Sequence, residues 1–282
     1  MATFTNVATL SYNGNVTNSN TVSGTINETL TASKTALPES YNAGDEITYV
    51  ISLINSGNAP LNSISVSDNL GVYEFSGTTL VPLTYREGSI RYFIDGVLQT
   101  TPPETDIGTD LVFSGITVPA NGNSTIIYQA TVNQYAPLGV DGAITNIATI
   151  NGAGLTTIEV SETITATNDP RLAITKSLSP TIVTENSEIT YTFVIQNFGS
   201  TAVEEGSDIV LSDTFDPVLT NITVTLNGVV FGTENYNYDE VTGVFTTTPG
   251  SISIPAATVE QLPDGTFVST PGETTLVITG TI

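Results

Sequence analysis

The chain is 282 residues long and carries 28 acidic against five basic side chains, a formal net charge of −23 at pH 7. A surface so acidic repels phosphate backbones and anionic lipid heads, which argues against nucleic acid or membrane-surface partners. Cys and His are absent, which removes thiol and imidazole chemistry and the common zinc sites.

The length accommodates two β-sandwich domains with something to spare. Charged residues make up only 12% of the chain; Thr, Asn, Ser, Val and Ile fill the gap, a composition suited to strands joined by polar turns. No Asp-x-Asp-x-Asp loop of the calcium type occurs, so the acidity reads as solubility, and neither a metal nor a cofactor is expected. No signal peptide and no apolar run of membrane-spanning length is evident, so membrane insertion is not expected.

In chain order, Phe4-Thr5-Asn6-Val7-Ala8-Thr9-Leu10 alternates apolar and polar residues, and a second alternating run extends from Val16 to Thr29. Lys34 and Pro38 precede the strand Glu46-Ile47-Thr48-Tyr49-Val50-Ile51-Ser52-Leu53, which closes on Asn55 and Gly57. Val66-Ser67-Asp68-Asn69-Leu70 carries a central aspartate, followed by a stretch rich in Tyr and Phe at 72–82. Ile116-Thr117-Val118-Pro119-Ala120 leads into a strand from Thr125 to Val132, and Ala143-Ile144-Thr145-Asn146-Ile147-Ala148-Thr149-Ile150 closes the set. Helical periodicity is absent, and turns of the Asn-Gly, Asp-Gly and Pro type punctuate the runs at sandwich-like spacing.

From Lys176 the series begins again. Lys176, Pro180, Glu188-Ile189-Thr190-Tyr191, Asn197 and Gly199 stand 142 positions after Lys34, Pro38, Glu46 to Tyr49, Asn55 and Gly57 (176 minus 34, 199 minus 57). Leu211-Ser212-Asp213-Thr214-Phe215 repeats the aspartate segment at an offset of 145 (213 minus 68), and Thr275 to Ile282 repeats Thr125 to Val132. The second copy stops there, one strand short of the first. Phe4 to Leu10 has the pattern of the absent strand: Asn6 precedes Lys34 by 28 positions and Asn146 precedes Lys176 by 30 (34 minus 6, 176 minus 146). The expected fold is therefore all-β, with two tandem immunoglobulin-like sandwiches. A donor strand and its extension occupy 1–30, a complete domain 31–168, and an incomplete domain lacking its last strand 169–282.

A sandwich without its last strand exposes an apolar groove and a row of unpaired backbone groups, which a strand from another chain can fill. Phe4, Thr5, Asn6, Val7, Ala8, Thr9 and Leu10 are expected to be that donor strand. Donor and acceptor lie at opposite ends of the sequence, so the contact is heterologous and propagates as an open fibre unless the rotation closes a ring. Insertion into the chain's own second domain and a disordered tail are the alternatives.

The early lysine, the Asn-x-Gly after a Thr-Tyr strand, the central Asp and the closing Thr-Asn-x-Ala-Thr strand resemble the DUF11 conserved-repeat family of large bacterial and archaeal surface proteins. That resemblance implies an immunoglobulin-like fold and a structural or adhesive role at the cell surface. The order Lys, Asp, Asn also looks like the self-made Lys–Asn isopeptide bonds of Gram-positive adhesins and pilins. By that likeness Lys34 joins Asn146 within the chain with Asp68 as the acid, and Lys176 joins Asn6 of a neighbour with Asp213 as the acid. Burial favours a neutral, nucleophilic amine and a protonated carboxyl, the two states the reaction needs. The plainer alternative is a lysine paired with a buried aspartate and an Asn serving turn hydrogen bonds. Glu46 and Glu188 are alternative acids, and Asn55 and Asn197 read as turn residues. Asn-x-Thr sequons stand at Asn15, Asn27 and Asn221.

The function expected is a structural subunit of an extracellular or cell-surface filament. Its partners are copies of itself and a cell-wall or surface anchor protein, and it is no enzyme beyond a single self-directed bond. One alternative is an adhesin or binding module that recognises its ligand through 72–82 and 235–243. A carboxylate-pair glycosidase is the other, for which no cleft with two placed acids shows.

Overall fold

The computed structural model describes residues 2–26, 29–152 and 154–282, and the chain is all-β. It divides into two compact units: Met1–Glu39, Gly44–Asn133 and Ile144–Ile164 form one, and Ser40–Ala43, Gln134–Ala143 and Thr165–Ile282 the other.

The N-terminal segment is a hairpin arm. β1 (Ala2–Asn6) pairs with β4 (Val22–Ile26), and β2 (Thr9–Tyr12) pairs with β3 (Asn15–Asn18). The reversal falls on Asn13 and Gly14, with φ of 49° and 82°, the left-handed pair that a two-residue type I′ turn demands. Phe4 to Leu10 is therefore not one strand, which corrects the expectation of a single donor. It breaks at Val7 and Ala8, where Ala8 N donates to Ser19 Oγ at 2.9 Å and Ser19 N to the Ala8 carbonyl at 2.8 Å. Every side chain from Phe4 to Ser23 is exposed.

Repeat one is a two-sheet sandwich. Its first sheet has the order β13 (Val97–Leu98), β12 (Arg91–Ile94), β16 (Gly122–Val132), β7 (Glu46–Asn55), β5 (Leu30–Leu37), with β11 (Leu83–Tyr85) also on β16. The second has the order β14 (Glu104–Ile107), β15 (Leu111–Val118), β8 (Leu61–Asp68), β17 (Ala143–Asn151), β18 (Ile158–Ala166), β6 (Ser40–Tyr41). A short hairpin of β9 (Tyr73–Phe75) and β10 (Thr78–Leu80) lies outside both. Alternation puts Ile47, Tyr49, Ile51, Leu53, Ile126, Tyr128 and Ala130 of the first sheet in the core. Ile64, Val66, Leu111, Phe113, Ala148 and Ile150 of the second are buried with them. Tyr49 and Tyr128 stack at 5.4 Å and 20°.

Repeat two has one sheet in the order β19 (Leu172–Ser179), β20 (Glu188–Asn197), β28 (Gly272–Thr281), β22 (Thr220–Leu226), β23 (Val229–Val230). A second sheet has only β21 (Ser212–Thr214), β25 (Val244–Thr247) and β24 (Tyr236–Tyr238), with β21 at its edge. β26 (Thr258–Gln261) and β27 (Phe267–Thr270) form a separate hairpin. The core holds Ile189, Phe193, Phe215, Leu219, Phe245, Ile252, Leu276 and Ile278.

The Asn-x-Gly turns are the same device in both repeats. Asn55 Nδ2 donates to the Ala59 and Pro119 carbonyls at 2.8 and 2.9 Å, and Gly57 N donates to Asn55 Oδ1 at 2.9 Å. Asn197 does the same with Thr201, Pro255 and Gly199. Glycine is required there by space: a Cβ on Gly199 would sit 2.1 Å from the Asp169 carbonyl oxygen.

Candidate functional site

In repeat one, four strands deliver polar side chains to one point in the core. β5 contributes Lys34, the end of β8 Asp68, β16 Tyr128 and β17 Asn146, and all four are buried. Lys34 Nζ donates to Asp68 Oδ2 at 2.7 Å, and the Tyr128 hydroxyl donates to the same oxygen at 2.6 Å. Asn146 Nδ2 donates to the Tyr128 oxygen at 3.0 Å, while Leu70 N caps Asp68 Oδ1 at 3.1 Å. Lys34 Nζ lies 5.0 Å from the centre of the Tyr49 ring. A continuous hydrogen-bonded path thus links Lys34 to Asn146 through Asp68 and Tyr128.

Burial pushes the Lys34 amine down from 10.5 to about 8, against the pull of the adjacent Asp68 carboxylate. Burial also raises the Tyr128 phenol well above its ordinary value, and the Asp68 charge adds to the effect. Asn146 Oδ1 is buried and has no hydrogen-bond partner among the described residues. An acceptor left so costs about 1–3 kcal/mol, and such atoms in a folded core ask for an explanation.

In repeat two, Lys176 on β19 pairs with Asp213 on β21, but its side chain is 41% exposed and that of Asp213 19%. Lys176 Nζ lies 4.6 Å from the Tyr191 ring centre and 5.5 Å from that of Phe215. Ile278 stands where repeat one has Tyr128, so repeat two lacks the bridging phenol. Asn6 is exposed on the arm, opposite Val22.

Sequence reasoning passed over Tyr128. The signal was there: one polar-tipped ring among Ile126 and Ala130 on an inward face, replaced by isoleucine in the second copy. Glu46 is not at the lysine. It lies on the outer surface, accepting from Gln129 Nε2 at 2.6 Å and pairing with Arg86. Glu188 is exposed at the start of β20. The aromatic residues of 235–243 belong to the fold: Tyr236 packs 5.2 Å from Phe245, and the Tyr238 hydroxyl is hydrogen-bonded to the Leu219 backbone. Asn15 and Asn221 are exposed, and Asn27 lies outside the described residues.

Repeat two also carries an uncovered groove. Leu172, Ile174, Ile195, Val210, Leu211 and Ile252 help to line a cavity of about 330 Å³. Leu172 and Val210 are each 43% exposed and Ile174 56%. Among the described residues no strand pairs with the free edge of β21.

Together these features define an all-β protein of tandem immunoglobulin-like repeats. No family model matches the chain, and no curated protein matches it. Among solved structures, the C-terminal domain of the Streptococcus agalactiae AgI/II polypeptide BspA is 13% identical over 89% of this chain and 91% of that one, with a TM-score of 0.36. BcpA, the major pilin subunit of Bacillus cereus, is 14% identical over 87% of this chain and 66% of that one, with a TM-score of 0.35. The chain thus spans just under two thirds of BcpA. The collagen-binding domain from a Staphylococcus aureus adhesin is 12% identical over 51% of this chain and 100% of that one, with a TM-score of 0.31. These are distant likenesses; the strand pairing above defines the fold. Among the described residues no helix is long and apolar enough to cross a membrane.

Proposed function

We propose that the chain is the structural subunit of an extracellular filament at or beyond the cell surface. Copies join head to tail by lodging the N-terminal arm of one in repeat two of the next. An amide between Lys34 and Asn146 closes repeat one, and an amide between Lys176 and Asn6 of the next copy welds the joint. The observation that carries this reading is a pairing of opposites. The Thr-Asn-x-Ala-Thr strand buries Asn146 and Ala148 in repeat one as part of β17, whereas its counterpart in the arm is wholly exposed, and the matching flank of repeat two is uncovered. An exposed arm with apolar residues at alternate positions and an exposed apolar groove in one chain are complementary parts.

The Lys34 contact with Asp68 supports the chemistry. A proton passing from the Lys34 ammonium to Asp68 leaves a neutral amine. The amine attacks Cγ of Asn146, whose carbonyl oxygen is the orphaned acceptor and gains a donor from a protonated acid. The adduct passes one amine proton to Nδ2, which departs as ammonia. The products are an amide, neutral Asp68 and one ammonia, so hydrogens and charge balance. Each site does this once. Asn6 and Lys176 meet only across a joint, where the incoming arm excludes water from the lysine.

Two measurements on one preparation test the reading. The monomer should be lighter by roughly 17 Da, one ammonia lost per amide formed. Assembled protein boiled in detergent should run as a ladder of multimers, and Lys176→Ala or Asn6→Ala should abolish the ladder. An unmodified mass rejects the bond inside repeat one. Fibres that collapse wholly to monomer reject the bond between copies.

A further inference from the structure

We infer that the groove of repeat two receives the arm of a second copy as an intact hairpin, both strands together, in one defined register. The inference rests on the filament reading and specifies the contact on which that reading depends.

In repeat one the place in question is held by two strands. β8 pairs with β17 in the register Asp68 opposite Ala148, Ser67 opposite Thr149, Val66 opposite Ile150 and Ser65 opposite Asn151, and β18 lies beyond β17. The arm reproduces both strands at one offset of 140 positions (146 minus 6). Asn6 corresponds to Asn146, Ala8 to Ala148 and Leu10 to Ile150. Between the two strands Thr145 of β17 and Thr163 of β18 meet through their hydroxyls at 2.8 Å, and in the arm Thr5 stands opposite Ser23, the same hydroxyl pair 140 positions earlier. Transfer of the register places Ala8 opposite Asp213, Thr9 opposite Ser212, Leu10 opposite Leu211 and Ser11 opposite Val210. Asn6 then approaches Lys176 as Asn146 approaches Lys34.

A second observation separates a hairpin from a lone strand. Phe4 stands opposite Gly24, and its ring lies across that glycine: a Cβ on Gly24 would come within 2.4 Å of Phe4 Cζ. At the corresponding positions repeat one has two isoleucines, Ile144 and Ile164, both buried. One large and one absent side chain in the arm replace two of middle size, so a single ring spans both strands. That exchange of bulk serves a pair that docks together, and a strand that peeled away from β4 would have no use for it. The rim fits as well. Ser40 in β6 pairs with Thr165 near the end of β18, and its counterpart in repeat two, Ile182, is 89% exposed.

The absence of cysteine from the chain makes disulfide trapping clean. Thr9→Cys with Ser212→Cys, in a Lys176→Ala chain so that no amide ladder interferes, should give fibres that oxidise to linked multimers and return to monomer on reduction. Thr9→Cys with Val210→Cys, two residues out of register, should stay unlinked. Adding Gly24→Ile to the first pair fills the space under the Phe4 ring and should slow linking about tenfold. Fibres that link through Val210 and not Ser212 overturn the register. Linking unaffected by Gly24→Ile overturns the hairpin. A disulfide closed within one monomer overturns the second copy as occupant. Each of these leaves the filament itself standing, whereas wild-type protein that forms no fibres at all removes the filament reading and this contact together.

Discussion

β5 and β19 are the same strand in two settings. Each pairs with its neighbour in the same register, Lys34 opposite Ile51 and Lys176 opposite Phe193, 142 positions apart. Yet Leu30 is 4% exposed and its counterpart Leu172 43%, and the lysine side chains are 0% and 41% exposed. Nothing in either strand accounts for this. The difference lies across the sandwich: β17 and β18 extend the second sheet of repeat one beyond β8, and among the described residues no strand pairs with the free edge of β21. Local sequence thus sets which groups face one another, and the cover decides whether the lysine is in water or in a core. For the proposed amide bond that distinction decides reactivity, because a desolvated amine gives up its proton more readily.

The comparison breaks most visibly at the two aspartates. Asp68→Ala removes the carboxylate bonded to Lys34 and strands a buried charge, which should destabilise repeat one by about 3–5 kcal/mol in denaturant unfolding. The loss of 17 Da should vanish with it, since roughly one ammonia leaves per amide. A cost under about 1 kcal/mol would mean that the cluster is wetter than its burial implies.

pH sharpens the same contrast. In an Asn146→Ala chain the Lys34 amine stays free, with its folded value near 8 against 10.5 in the unfolded chain. Below about 8 the lysine is charged in both states and the full burial cost applies. Between about 8 and 10.5 the unfolded chain holds a proton that the folded one has released, so stability should rise with pH across that window. If Lys34 of the wild-type chain has formed the proposed amide, that chain should show no such rise. In single-turnover measurements the rate of bond formation should climb as pH approaches 8 and then level.

Much of this was legible in the sequence because lysines are scarce. With two in the whole chain, both at one place in a repeat, the order Lys, Asp, Asn and its likeness to isopeptide-forming domains singled out Asp68 and Asn146, which lie with Lys34, and Asp213, which pairs with Lys176, while Asn6 stands apart on the arm. Three things did not follow. Tyr128 looks like any core aromatic in an alternating strand, and only a hydrogen-bond network reveals its hydroxyl as the link between acid and amide. The arm was legible in principle, since Asn13-Gly14 is a strong hairpin signal. The match of Phe4 to Leu10 with a long closing strand hid it, and strand continuity was broken at Val7 and Ala8 by a side-chain contact from Ser19. The inward packing of Tyr236 and Tyr238 depends on partners, Phe245 and Leu219, that no local pattern names.

The smallest expected effect is the most telling for assembly. In the unassembled chain Asp213→Ala should cost less than about 1 kcal/mol, because an ion pair this exposed gains little from attraction and pays side-chain entropy to form. The same substitution in the polymer meets a different site. With the arm of a neighbour seated across β21, Lys176 loses its water and Asp213 becomes the group that must take its proton. The joint should then depend on Asp213 as repeat one depends on Asp68, by about 3–5 kcal/mol. The measurement is a pair of unfolding curves for wild type and Asp213→Ala, taken before assembly at low concentration and again on assembled material, with Lys176→Ala protein to report the unwelded joint. A difference that grows on assembly identifies the arm as the missing cover of repeat two. If the effect is equally small in both states, Lys176 stays solvated in the polymer, and the weld between copies has no acid to serve it.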